Sequence, residues 1–181
     1  MILMFETSVL SCFARADRLD LLAKLTSDST RRVTTQAVIE EIEKGIPIYP
    51  KLVLISQQRW LEKVSVDGLE ELAHFAEFSR RLVDQNGRNV GEASALAWIM
   101  VNAGVLISDD QDAIQITNEK CIETMRTLRL LGRSVCKGLL TKEDAATLVD
   151  ELISGGARFP CKGGAEFMSW ANREGLFDPV E

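Results

Sequence analysis

The chain is poor in the residues that hold soft metals. It has one histidine, His74, and four cysteines, Cys12, Cys121, Cys136 and Cys161, in 181 residues. No two cysteines form a CxxC pair, so neither a zinc site nor a dithiol redox centre is spelled out. The thiols read as mostly buried, reduced core residues. Long apolar runs are missing too. The longest, Leu96 to Ile107, is broken by Asn102 and Gly104 and is too short to cross a bilayer. The apolar start, Met1 to Phe5, has no basic segment before it and is cut by Glu6, so it does not read as a signal peptide. A cytoplasmic protein without membrane contact is the expectation.

Positive charge is not in excess: 21 Lys and Arg face 27 Asp and Glu, for a formal net charge of −6. A protein that merely coats nucleic acid is usually basic. Any nucleic-acid contact must therefore come from local basic clusters, and the acidic balance leaves room for a basic protein partner. There is no internal repeat and no low-complexity segment. Gly163-Gly164 lacks the Gly-Lys-Ser/Thr that would make it a phosphate loop. What the chain does have is 46% hydrophobic residues, enough for a core, and a length that suits one domain.

The apolar residues fall into strands and helices in alternation. Ile2 to Phe5 reads as a strand buried on both faces. A helical pattern follows to about Lys24, with a break near Asp17. Thr34 or Thr35 can cap a helix from Gln36 to Lys44 that stops at Gly45. Val53 to Ser56 fits a short strand or the start of a helix, and Val64 to Val66 fits a strand. Gly68 to Gln85 is a strongly amphipathic helix. Gly91 to Asn102 is an apolar one. Val105 to Ile107 is a second buried strand, ending at Ser108-Asp109-Asp110. A short helix from Asp112, a brief strand near Cys121-Ile122 and a helix through Leu131 complete a main domain over residues 1–140. A helical extension, residues 141–181, is expected to pack on it. Thr141 and Asp144 make a capping box for a helix to about Ile153, and Ala165 to Glu174 is helical in pattern. Such alternation implies a parallel sheet with right-handed crossovers, whose ligands bind beyond the carboxyl ends of the strands.

The carboxylates fall at those ends. Glu6 follows the first strand at once. Asp109 and Asp110 follow the Val105 strand, and Asp112 lies two residues on. Glu41 is on the helix after Thr34-Thr35, and Glu92 is in the first turn of the helix that leads to Val105. Clustered carboxylates repel one another unless a cation is bound. Oxygen-only ligands suit a hard ion, Mg²⁺ or Mn²⁺, which can activate water against a phosphodiester. Taken singly, each acid has a plainer role: Glu92 can favour a helix N-terminus, and Asp109 or Asp112 can be a turn or cap residue.

Four segments together resemble the PIN-domain family: Met4-Phe5-Glu6-Thr7-Ser8, Ala37 to Gly45, Gly91-Glu92-Ala93-Ser94-Ala95-Leu96-Ala97, and Leu106-Ile107-Ser108-Asp109-Asp110-Gln111-Asp112-Ala113. Within the family the pattern is similar to the compact prokaryotic branch of VapC-type toxins, over residues 1–135. The resemblance implies a three-layer α/β/α fold with a central parallel sheet, and Mg²⁺- or Mn²⁺-dependent cleavage of single-stranded RNA. It implies a protein antitoxin as partner, and a homodimer. It places Glu6, Glu41, Glu92, Asp110 and Asp112 in the catalytic set, with Glu6, Glu92 and Asp110 holding the metal. Thr7, Ser8 and Ser108 would support them. One position departs from the pattern: the family has Asp where this chain has Glu6. A carboxylate one methylene longer implies, as the alternative, a weakened or inactive module that binds RNA or a protein. Segments after residue 140 match the pattern poorly. A receiver-like phospho-acceptor fold also gathers acids at strand ends, but its acidic pair after the first strand and its Lys after a late strand are missing.

Arg80, Arg81 and Arg88 cluster, and Arg126, Arg129 and Arg133 recur at helical spacing. Either group can hold phosphates, although a solvated face is the plainer reading. Trp60, Trp98 and Trp170 are too far apart in sequence to suggest a stacking platform. His74 is given no catalytic role.

Overall fold

The computed structural model describes residues 1–177. Five parallel strands form one sheet: β1 (Ile2–Phe5), β2 (Arg31–Thr35), β3 (Glu62–Val64), β4 (Val105–Ile107) and β5 (Glu123–Met125), in the order β3-β2-β1-β4-β5. Helices flank the sheet in the expected three-layer α/β/α arrangement. They are α1 (Thr7–Arg15), α2 (Leu19–Leu25), α3 (Gln36–Gly45), α4 (Val53–Ser56), α5 (Leu69–Leu82), α6 (Val90–Asn102), α7 (Gln111–Lys120), α8 (Thr127–Cys136), α9 (Lys142–Ser154) and α10 (Gly164–Arg173).

The two strands recognised by their aliphatic runs, β1 and β4, lie side by side at the centre. Leu3, Met4, Phe5, Val105, Leu106 and Ile107 are all buried, because helices cover both faces. From β1 the chain adds β2 and β3 on one side; β4 and β5 extend the other. The direction of winding therefore reverses between β1 and β4, the place where open α/β sheets leave a crevice. Phe5 pairs with Ile107, so the residues that follow, Glu6 and Ser108, leave the sheet as neighbours.

β2 carries no sequence expectation, and its pattern explains why. Of Arg31-Arg32-Val33-Thr34-Thr35 only Val33 is aliphatic. The strand exists through pairing with β1, and Thr34 Oγ1 adds a hydrogen bond to the Phe5 carbonyl at 2.9 Å. Val53 to Ser56 is a helix rather than a strand. β3 lies two residues earlier than Val64–Val66, because its register with β2 places Val64 opposite Thr35. β5 likewise begins at Glu123: Cys121 adopts a left-handed conformation, φ 55°, that ends α7. The helix break at Asp17 is real, with φ 61° there. The thiols are less buried than expected: Cys161 is buried, Cys12 half-buried, and Cys121 and Cys136 exposed.

The last two helices are part of the same core. α9 packs on α1, α8 and α10, and buries Leu148, Val149 and Leu152, while α10 buries Phe167 and Ala171. The close crossing of α9 and α10 needs Gly164, where a Cβ would come within 2.2 Å of the Ala146 carbonyl oxygen. Among the described residues no helix is long and apolar enough to cross a membrane.

Candidate active site

The acids at the β1/β4 crevice are brought there by three different kinds of local structure. Glu6 is the residue between β1 and α1, and it is only 1% exposed. The Ser8 hydroxyl donates a short hydrogen bond to its Oε1. Oε2 is buried with no hydrogen-bond partner. Burial pushes the Glu6 carboxyl well above the usual carboxylate range, and the nearby charges of Glu92, Asp110 and Asp109 push it further; Ser8 acts against them.

Glu92 arrives on the first turn of α6. Asn89, in a left-handed conformation at φ 66°, starts that helix. Gly91 lets it begin in contact with α3 and α1: a Cβ there would lie 2.6 Å from Glu41 Oε2, 2.8 Å from Thr7 Oγ1 and 3.2 Å from Val38 Cα. In that gap Glu41 accepts hydrogen bonds from the backbone N–H of Gly91, at 3.0 Å, and of Asn89, at 3.4 Å. Glu41 thus caps the amide end of α6 from outside the helix. Glu92 Oε2 is buried without a partner, as is Thr7 Oγ1. Burial, then the charge of Glu41, lifts the Glu92 carboxyl from 4.5 to about 7, and Asp110 adds to the rise.

Asp110 is the N-cap of α7; its Oδ1 accepts from the Ala113 N–H at 2.9 Å, and its own N–H donates to the buried Ser108 Oγ at 3.1 Å. Asp109 turns to a different task. Its Oδ1 accepts from the Thr127 N–H at 3.0 Å, fixing the start of α8, and burial raises its carboxyl while Thr127 and Arg126 pull it down. Asp112 is exposed in the first turn of α7. The structure therefore gathers Glu6, Glu92 and Asp110 into one electrostatic group, with Glu41 against Glu92. Asp112 stands at the outside, where its charge also suits a helix N-terminus.

Sequence spacing missed one support. Thr35, the N-cap of α3, shares a 2.5 Å hydrogen bond with Ser94 on α6, and Ser94 Oγ also donates to the Gly91 carbonyl at 2.7 Å. This pair of buried hydroxyls ties the end of β2 to the turn that carries Glu92. Ser94 lies inside the Gly91–Ala97 segment, but nothing in that segment names its partner.

No Lys or Arg forms an ion pair with Glu6, Glu41, Glu92 or Asp110 among the described residues. Nor do three or more His, Cys, Asp or Glu side chains there form a ready-made coordination shell. The donor set nonetheless fits a hard divalent cation. It is all oxygen, it is acidic, and two of its buried oxygens have nothing to bond to.

Comparison with known proteins adds one finding. A family model described as a PIN domain matches residues 2–173, and so runs through α9 and α10 as well as the sheet. No curated protein and no solved structure matches the chain.

Proposed function

The chain belongs to the PIN-domain family, and from that premise we propose that it is a divalent-metal-dependent endoribonuclease acting on single-stranded RNA. PIN domains are generally metal-dependent nucleases that bind RNA. One observation carries the reading for this chain: Glu6 Oε2 and Glu92 Oε2, from β1 and from α6, are both buried without partners beside Asp110 at the sheet's switch point. Glu6, Glu92 and Asp110 would hold Mg²⁺ or Mn²⁺. A cation there supplies charge stabilisation for a phosphodiester and activates water. The chain's own residues set the stage. Ser8 orients Glu6 and Ser108 steadies the Asp110 turn. Glu41 and the Thr35–Ser94 pair fix the turn that presents Glu92, and Asp112 is the auxiliary acid at the outer edge. No side chain becomes covalently attached to substrate. The resemblance to the compact prokaryotic branch supports a role as the toxin of a toxin–antitoxin pair, held by an antitoxin protein and working as a homodimer.

A second reading, a weakened or inactive module that binds RNA or a protein, is favoured by Glu6 itself. The longer side chain is fully enclosed, and burial with the neighbouring acids pushes its carboxyl well above the usual range. A nuclease assay titrated with Mn²⁺ separates the two readings. The wild type is expected to cleave unstructured RNA. Asp110→Asn is expected to lose about a hundredfold or more while remaining folded, because Asn is as good an N-cap as Asp. Undiminished cleavage by Asp110→Asn removes the proposed site. An inert wild type that Glu6→Asp makes active establishes the second reading.

A further inference from the structure

Arg126, Arg129 and Arg158 meet at one cavity of about 670 Å³, together with Trp170 and Phe159. Its walls come from two distant parts of the chain. α7, β5 and the start of α8 supply one set of residues; the α9–α10 connection, α10 and the residues just after it supply the other. Its volume lies within the range of roughly 300–1,000 Å³ common to small-molecule sites. Among the described residues, Arg129 and Arg158 make neither an ion pair nor a hydrogen bond. Arg126 donates only to Gln111 Oε1, at 3.2 Å. The remaining arginines in ion pairs, such as Arg18, Arg31 and Arg81, are matched to carboxylates. Two acids do line the cavity. Asp109 is engaged by the Thr127 N–H, and Glu174 is exposed at the end of α10. The guanidinium groups outnumber them. Asp109 is also the cavity's border with the carboxylate crevice, since Asp110 is the next residue.

We propose that this cavity seats a nucleotide of the single-stranded RNA next to the cleaved bond, with the arginines on backbone phosphates and the base against Trp170 or Phe159. The inference rests on the nuclease reading above for the choice of RNA. Three guanidinium groups, two of them without a partner among the described residues, select a polyanion, and half-buried rings beside them select one that carries flat bases rather than an acidic peptide. A strand entering along the arginines reaches the acids across Asp109. The cavity also resolves how a chain of net charge −6 attracts RNA: the positive charge is concentrated where the strand must lie. The C-terminal helices, which supply Arg158, Phe159 and Trp170, thereby become part of substrate recognition.

Binding without cleavage tests this apart from catalysis. A fluorescently labelled, unstructured RNA is titrated with full-length protein in EDTA, following anisotropy at several salt concentrations. The double variant Arg129→Gln/Arg158→Gln is expected to weaken binding at least tenfold. It should also lower the slope of log Kd against log salt by about 1.4, two lost contacts at about 0.7 each on single strands. Trp170→Leu is expected to cost about tenfold with the slope unchanged, and Trp170→Tyr to restore most of it. Both arginines are exposed, so matching circular dichroism melts exclude misfolding. Wild-type affinity and slope in the arginine variant overturn the proposal, and so does a wild type that binds no RNA or binds an acidic peptide in its place. A protein that binds RNA in this manner but never cleaves it leaves the cavity assigned and removes only the nuclease reading.

Discussion

The acids of this protein live in two contrasting settings. On the outer surface, Glu62, Glu77, Glu119 and Asp28 each face an Arg or Lys, and the hydrogen bond from that partner holds the carboxyl below its usual range. At the β1/β4 crevice, Glu6 and Glu92 face other acids, and burial holds their carboxyls above it. The residue type is the same and the direction is opposite. Outer acids are compatible with the bare fold; the crevice acids oppose it as soon as they ionise. A fold that keeps such a cluster is arranged for something positive to arrive.

The largest expected effect comes from removing that opposition. Glu92 titrates near 4.5 when unfolded and at about 7 when folded. Between those values the folded state keeps a proton that the unfolded chain gives up. Its contribution is therefore fully present below about pH 4.5, and is lost as the pH rises through about 7. The loss is about 3 kcal/mol at most. In EDTA, the wild-type melting temperature should fall from about pH 5 to about pH 8. Glu92→Gln should flatten that dependence and be the more stable protein at the higher pH. Mn²⁺ should raise the wild-type midpoint there and leave the variant nearly unmoved. A variant that is less stable than wild type at about pH 8 contradicts the opposition assigned to these acids.

A second way to break the comparison is to move Glu92 without changing its charge. Gly91→Ala puts a methyl 2.6 Å from the Glu41 carboxylate and 3.2 Å from the Val38 backbone. Val38 Cα cannot turn aside as a side chain can, so α6 must shift. A cost of about 1–3 kcal/mol is expected, with a fall in Mn²⁺-dependent cleavage larger than the loss of folded protein accounts for. Gly68→Ala is the control: the nearest atom to its Cβ is 3.6 Å away, and about 1 kcal/mol or less is expected at this N-cap. Equal effects from the two substitutions in melting and cleavage would show that Gly91 has no special place.

Much of this crevice was readable from the sequence, for a physical reason. β1 and β4 are short aliphatic runs buried on both faces, so each shows itself without knowledge of its partners, and the acids that end them are adjacent in sequence. The break at Asp17, the Thr35 cap and the Thr141–Asp144 capping box are equally local. What escaped depends on contacts between distant segments. β2 is a strand because β1 lies beside it, which Arg31-Arg32-Val33-Thr34-Thr35 cannot declare. Glu41 reads as an acid on a helix, yet its oxygens are spent partly on the amides of Asn89 and Gly91, some fifty positions away. Trp170 reads as isolated until α10 folds back beside Arg126 and Arg129.

The smallest expected effect belongs to the outer pairs, and it sharpens the contrast. Arg31 and Glu62 join β2 to β3 through two hydrogen bonds, at 2.6 Å and 3.0 Å. Both side chains are more than a third exposed, so water and salt screen the charge, and ordering two long side chains offsets part of the gain. A double-mutant cycle with Arg31→Ala and Glu62→Ala should give a coupling of only about 0.2–1 kcal/mol. The value should shrink as salt is added. The matching cycle at the crevice, Glu6→Gln with Glu92→Gln, should give a coupling of opposite sign in metal-free protein at a pH high enough to ionise both acids, since removing either acid then relieves the other. It should respond little to salt, because Glu6 is enclosed. Two couplings of the same sign would mean that the crevice acids are held as the surface ones are, and the distinction between the two settings would be lost.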